Sequence, residues 1–138
     1  MHVRVDASRR LVAVRGFGTV SDSDVFHYQA TTWRRPDVQG FDELVDMTDV
    51  EDVYVAAAGR TEDLARVAAG MDRFEKESRL AIVAPGDSAF RLAQGYGAMR
   101  ERIGGGHKRV GVFRSRPEAE AWLGLEPGAI AALLDPEP

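Results

Sequence analysis

Residues 80–84 read Leu-Ala-Ile-Val-Ala, an apolar run that is followed directly by Pro85 and Gly86. A short apolar run ended by Pro-Gly is typical of a β-strand that is covered on both faces. Such strands occur where helices pack against a mostly parallel sheet, because parallel neighbours need a crossover between them. This stretch therefore predicts an α/β fold.

The rest of the chain predicts four further strands. Residues 3–6 alternate apolar and polar side chains, as a half-buried strand does. A short turn, Ala7-Ser8-Arg9, joins this strand to the next, so the two are expected to form a hairpin, which Gly16-Phe17-Gly18 ends. The five predicted strands cover residues 3–6, 11–14, 41–47, 80–84 and 109–113.

Helical patterns separate the later strands, and each has recognisable capping residues. The predicted caps are Ser21 with Asp24, Asp87 or Ser88, and Ser115 with Glu118. The second helix is expected to begin between residues 57 and 60. The third is expected to carry its apolar stripe on Leu92, Tyr96, Met99 and Ile103. The first, third and fourth helices are expected to stop at Arg35-Pro36, Gly104 and Gly124.

Together these elements predict a five-stranded mixed sheet with four helices, in which an N-terminal hairpin precedes alternating helices and strands. The crossovers are expected to be right-handed and the later strands parallel. We assign this domain to residues 1–124. Residues 125–138 form a C-terminal tail with a short apolar segment, residues 129–134, which can form a helix. The sequence leaves open whether this segment packs on its own domain, on a second copy, or on neither.

Composition narrows the classes of function. The chain has 138 residues, no Cys and a formal net charge of −4. The absence of Cys excludes disulfides, thiolate metal sites and cysteine nucleophiles. The acidic balance argues against a nucleic-acid partner, because affinity for phosphate backbones requires a basic surface. The sequence contains no apolar run long enough to span a membrane and no signal-peptide core at its start, so we expect a cytoplasmic protein without membrane insertion.

Four stretches of the sequence, residues 10–20, 41–50, 79–85 and 112–123, resemble the bacterial SpoIIAA-like proteins of the STAS superfamily. The resemblance extends over about residues 1–124 with the order of elements intact. It implies a STAS-type α/β domain that acts in regulation or protein association and is not an enzyme. It also implies a homodimer, since members of the superfamily commonly self-associate. No cofactor is expected.

The resemblance also identifies a candidate contact surface. In the anti-sigma-factor antagonists of this superfamily, the loop after the third strand carries Asp-Ser-Ser-Gly, and a partner kinase phosphorylates a serine there. The counterpart here is Ala56-Ala57-Ala58-Gly59, which keeps the glycine but has no hydroxyl to accept a phosphoryl group. The nearest hydroxyl belongs to Thr61. The predicted partner-contact surface comprises Val50, Val53, Tyr54, Ala57, Ala58, Gly59 and Thr61.

Two other functions compete with protein association. One is binding of a small apolar molecule or lipid in a pocket near Trp33, Tyr96 and Met99, with an Arg for its head group. The other is a hydrolase that uses Ser88, since Gly86-Asp87-Ser88 resembles the nucleophile block of GDS esterases. Those enzymes need an Asn in the oxyanion hole, and this sequence contains none, so a helix cap is the favoured interpretation.

No metal site is expected, since the three His are scattered.

Overall fold

The computed structural model describes residues 1–54, 59–70, 77–103 and 108–135. Within these ranges, five strands form one mixed sheet in the order β1-β2-β3-β4-β5. β1 runs antiparallel to β2, and each later neighbour is parallel. The elements are β1 (His2–Asp6), β2 (Leu11–Ser21), α1 (Asp22–Thr32), a 3₁₀ turn (Pro36–Val38), β3 (Asp42–Tyr54), α2 (Arg60–Ala69), β4 (Ser78–Val83), α3 (Asp87–Ile103), β5 (Lys108–Phe113), α4 (Arg116–Leu123) and α5 (Ala129–Leu134). The predicted fold class is confirmed.

Helices cover both faces of the sheet, as the apolar run in β4 indicates. Leu80 and Ile82 pack with Ala93 of α3 on one face, where α1 and α2 also lie. Ala81 and Val83 pack on the opposite face against α4 and α5. Because strand side chains alternate between faces, a strand buried on both sides must be apolar at every position.

β2 and β3 are both longer than the sequence predicted. β2 does not end at Gly16-Phe17-Gly18; it continues to Ser21, with register shifts between Arg15 and Phe17 and between Gly18 and Thr19. β-bulges at these shifts accommodate the glycines, so the pairing of β2 with β3 continues beyond them. The prediction that β3 stops at Met47 is also wrong, because it continues to Tyr54.

The extended halves of β2 and β3 pair with each other beyond the rest of the sheet. In the described part of the chain, β1 pairs with β2 only up to Arg15, and β4 pairs with β3 only up to Asp46. Residues 17–21 of β2 and residues 49–54 of β3 therefore form a two-stranded extension, which we call the β2–β3 arm. The predicted contact surface thus begins on a strand rather than in a loop.

Some of the observed helix termini match the predicted ones and others do not. Ser21 and Asp24 form the predicted capping box of α1, with Asp24 N–H 3.2 Å from Ser21 Oγ. The helix ends at Thr32, earlier than predicted, because Arg35 is extended before Pro36. α2 begins at Arg60, within the predicted interval.

The capping box predicted for α4 is wrong. Ser115 does occupy the N-cap position, but its side chain caps no backbone N–H. Its hydroxyl donates instead to the Glu118 carboxylate, 2.8 Å from Oε1.

The cap predicted for α3, Asp87 or Ser88, is also wrong, because α3 begins at Asp87 itself. Phe90 N–H donates to Gly86 O at 2.9 Å, so Gly86 holds the cap position.

α3 buries a face that lies beside the predicted stripe of large residues, although Tyr96 of that stripe does pack against the core. Its buried residues are Ala93, Gly97 and Arg100, whereas Leu92 is 45% exposed. A Cβ at Gly97 would lie 2.8 Å from Val110 Cγ1, so glycine lets the helix approach β5 closely. The contact face is therefore displaced by about one residue from the predicted one. Of the helices described, none is long and apolar enough to cross a membrane.

The apolar tail segment packs on its own domain. Residues 129–134 form α5, which lies against β2, and Ile130 is fully buried. The Glu120 carboxylate accepts hydrogen bonds from Ile130 N–H at 2.9 Å and from Gly128 N–H at 3.3 Å. A carboxylate is favourable at a helix N-terminus, because it faces the positive end of the helix dipole.

Candidate functional site

A cavity of about 150 Å³ lies between the sheet and helices α1, α2 and α3. Its walls are mostly apolar. The apolar lining residues are Met1, Gly16, Val20, Val25, Val45, Met47, Val50, Val53, Leu64, Leu80, Ile82, Leu92 and Ala93. The polar or amphipathic ones are Ser21, Asp22, Tyr28, Gln29, Glu43, Thr61 and Tyr96.

Small residues make room for this cavity. Ala93 of α3 is buried with Leu80 and Ile82, and its side chain is only a methyl group. On the sheet, Gly16 lies where a Cβ would come within 2.8 Å of Val50 Cγ2. Glycine at this position thus allows Val50 to form part of the wall, while the neighbouring bulge adjusts the strand.

A buried polar network borders the cavity below α1. Trp33 Nε1 donates to the Tyr28 hydroxyl at 2.8 Å, and that hydroxyl donates to Glu43 Oε2 at 2.5 Å. Burial, together with the nearby Glu43 carboxylate, raises the pKa of Tyr28 well above its ordinary value. The phenol therefore keeps its proton and acts as a donor to Glu43.

Lys108 pairs with Glu43 and is not one of the residues that line the cavity. Its Nζ lies 3.6 Å from Glu43 Oε1 and 3.4 Å from the carbonyl oxygen of Phe41. The same ammonium stands 4.1 Å from the centroid of the Trp33 ring, in cation–π geometry. A buried carboxylate is tolerated when it is paired in this way.

A second buried carboxylate lies at the other end of α1. Asp22 is the first residue of α1, and Arg60 is the first residue of α2. Arg60 Nε donates to Asp22 Oδ2 at 2.8 Å, and its guanidinium stacks 4.4 Å from the centroid of Phe26. This ion pair ties the N-termini of the two helices together beside the cavity.

Most of the described residues that we predicted to contact a partner lie around this cavity. Val50, Val53 and Thr61 line it. Tyr54 is at the exposed end of β3, and Gly59 adopts a positive φ of 86° just before α2. Ala57 and Ala58 lie outside the described residues.

The predicted ligand pocket overlaps the same cavity. Tyr96 lines it. Trp33 does not line it but donates a hydrogen bond to Tyr28, which does, and Met99 is half-buried outside the lining. The Arg expected for a ligand head group is not found, because none of the lining residues in the described ranges is Lys, Arg or His.

The polar part of the site was not anticipated from the sequence. Glu43 and Lys108 are buried in β3 and β5. One signal was present in the sequence, since the residues two positions before and after Glu43, Phe41 and Val45, are both apolar.

The proposed nucleophile block has no comparable surroundings. Ser88 is exposed in the first turn of α3, and the adjacent Asp87 pairs with Arg114 at 2.6 Å. His107, which the hydrolase hypothesis would need, lies outside the described residues. Across the described ranges, no group of three or more His, Asp or Glu is placed to hold a metal ion.

Comparison with known proteins identifies one informative likeness. The chain is similar to the crystal structure of an uncharacterised protein of the DUF3478 family with a SpoIIAA-like fold, from Shewanella loihica. The TM-score is 0.53 and the sequence identity 14%, over 82% of this chain and 83% of the other. Neither a protein-family model nor a curated protein matches the sequence. At this identity the likeness concerns the fold, and it confirms the SpoIIAA-like fold that the sequence predicted.

Proposed function

For a chain with a SpoIIAA-like fold, the fold of STAS-type domains, we propose the function of a non-enzymatic module that binds a small apolar molecule between the sheet and helices α1–α3. The observation that carries the proposal is the apolar cavity of about 150 Å³. A mostly apolar cavity of about this volume has room for a molecule the size of benzene. The ligand is therefore expected to be a single ring or a short hydrocarbon chain.

The polar groups around the cavity support binding rather than catalysis. The Tyr28 hydroxyl donates its hydrogen bond to Glu43, which Lys108 also contacts. Asp22 is paired with Arg60. These bonds hold the helices on the sheet, and paired groups of this kind are better suited to orienting a ligand than to taking a proton from it.

The direct test is a titration with toluene, followed by amide NMR. We expect saturable shifts at cavity residues in the wild-type protein. Ala93→Leu should abolish them, because the larger side chain fills the cavity. Ala98→Leu is the matched control, since Ala98 is exposed on the same helix and should leave binding unchanged. Toluene shifts that are absent from the wild type, or unaltered by Ala93→Leu, would contradict the proposal.

A second candidate function, protein association, is favoured by the β2–β3 arm. Its Phe17 and Tyr54 are 46% and 58% exposed. Exposed aromatic rings beside open strand edges are common in protein-binding surfaces. A homodimer is the simplest such complex. Light scattering tests it: a dimer that Phe17→Asp with Tyr54→Asp converts to a monomer would support this function, and a wild-type monomer at millimolar concentration would exclude self-association.

Either function would operate without the serine switch of the anti-sigma-factor antagonists. The corresponding stretch, residues 56–59, has no hydroxyl. Thr61 is half-buried in the first turn of α2 and lines the cavity, which makes it a poor substrate for a kinase. We therefore propose that occupancy of the cavity, rather than phosphorylation, is the signal at this end of the sheet.

A further inference from the structure

The charges that face the cavity define the chemistry of its ligand. Glu43 and Asp22 are both among the lining residues, with side chains that are almost wholly buried, whereas their cationic partners Lys108 and Arg60 do not line the cavity. The charged side chains in the lining, within the described ranges, are therefore both acidic. In a mostly apolar cavity beside these two acids, a carboxylate or phosphate on the ligand is disfavoured, because it would lose water and gain no cation.

A cationic ligand is disfavoured for a different reason. Each of the two carboxylates already has a cation, at 3.6 Å for Glu43 and 2.8 Å for Asp22. A third positive charge would be buried beside two ion pairs that are balanced without it, and its desolvation would not be compensated.

The hydrogen bonds around Glu43 determine which polar group the ligand must carry. The chain of donors runs from Trp33 Nε1 to the Tyr28 hydroxyl and from that hydroxyl to Glu43, so every proton in it is directed towards the carboxylate. An ionised carboxylate accepts hydrogen bonds and donates none, and its two oxygens can accept about four. The polar group that Glu43 offers to a ligand is therefore an acceptor.

We propose that the cavity is selective for an uncharged apolar molecule that carries one hydrogen-bond-donating hydroxyl, an alcohol or a phenol, with this hydroxyl bound to Glu43. This inference rests on the proposed function, since it names the ligand class of the same cavity. It also corrects the expectation of an Arg for the head group, because an acceptor takes that place.

The test compares four probes of similar size on the wild-type protein: phenol, toluene, benzoate and benzylamine. In a cavity without an acceptor, phenol should bind about 5- to 150-fold more weakly than toluene, because an unpaired hydroxyl costs about 1–3 kcal/mol on burial. We expect phenol to bind at least as tightly as toluene, and benzoate and benzylamine to give no saturable shifts. Phenol should also move the carboxyl ¹³C resonance of Glu43, which toluene should leave in place.

The Glu43→Gln variant tests separately how the charge of Glu43 affects the binding of an anion. The amide is nearly isosteric and can still accept from Tyr28, but it no longer repels an anion. Benzoate binding, which the wild-type protein should not show, should become measurable in this variant. The wild-type probe series does not depend on this variant folding. If toluene binds but phenol is tenfold weaker, or benzoate equals phenol, the hydroxyl proposal fails and the cavity proposal stands. If no probe binds, both fail.

Discussion

Arg116 on α4 donates its Nε–H to the buried carboxylate of Asp46 on β3, across 2.8 Å. Asp46 is 1% exposed, and its other oxygen accepts from Thr48 N–H at 2.9 Å. The same guanidinium binds both oxygens of Asp135, just after α5. The bonds to Asp135, together with the Asp46 charge, raise the pKa of Arg116. One side chain thus joins the central strand to α4 and to the C-terminal segment.

Loss of this guanidinium should weaken the fold. Arg116→Met leaves Asp46 buried without its cation, and we expect a decrease of about 2–4 kcal/mol in the free energy of unfolding, somewhat below the full cost of breaking a buried pair because Arg116 is partly exposed. Urea unfolding gives this value. Arg91→Met is the control, because Arg91 is exposed on α3 and should change stability by less than about 0.5 kcal/mol. Equal losses in the two variants would show that the Asp46 contact contributes nothing specific.

The C-terminal helix is expected to contribute to the main core. Ile130 is fully buried with Leu11, Leu44 and Leu134. Ile130→Ala should therefore lower the free energy of unfolding by about 2–5 kcal/mol, whereas Ile130→Val should cost only about 0.5–1.5 kcal/mol. A loss below about 1 kcal/mol for the alanine variant would mean that α5 is not docked in solution.

Two glycines of α3 should respond to alanine in opposite directions. At Gly97 the new methyl group would lie 2.8 Å from Val110 Cγ1, so Gly97→Ala should destabilise by about 1–3 kcal/mol through overpacking. At Gly95 the space is open, so Gly95→Ala should stabilise by about 0.5–1 kcal/mol through helix propensity. Thermal unfolding of the pair measures both effects. Stabilisation by Gly97→Ala would contradict the close approach of α3 to β5.

The sequence predicted the order of elements because its strongest signals are local. The apolar run in β4 and the capping box at Ser21 and Asp24 each depend on neighbouring residues alone. The failures arose where a long-range contact decides the local structure. Gly16 and Gly18 indicate a strand end when read alone, but pairing with β3 carries the strand past them. Likewise, Gly97 replaces the larger residues in the contact face of α3 because Val110 lies directly beneath it.

The cavity could be predicted only in outline. Tyr96 was identified from its helical position, but the ion pair that sets the polarity of the cavity joins Glu43 and Lys108, which lie on strands separated in the sheet by β4. No local pattern links residues so far apart in sequence. The choice of Lys where almost all other cations are Arg was a usable signal. Its compact ammonium fits over the Trp33 ring beside the carboxylate.

Acid should weaken the turn between β1 and β2. Bonds from the Ser8 hydroxyl and from Arg9 lower the pKa of Asp6 to about 2, from an ordinary 3.8. Since the folded-state pKa lies below the unfolded one, the stabilisation from Asp6 is fully present above about pH 4 to 5 and is lost as the pH falls towards 2. Asp6→Asn should therefore lower the urea midpoint at pH 7 but not at pH 2. Ser8→Ala should raise the Asp6 pKa, as measured by carboxyl ¹³C titration. An Asp6 that titrates near 3.8 in the wild-type protein would show that these bonds do not persist in solution.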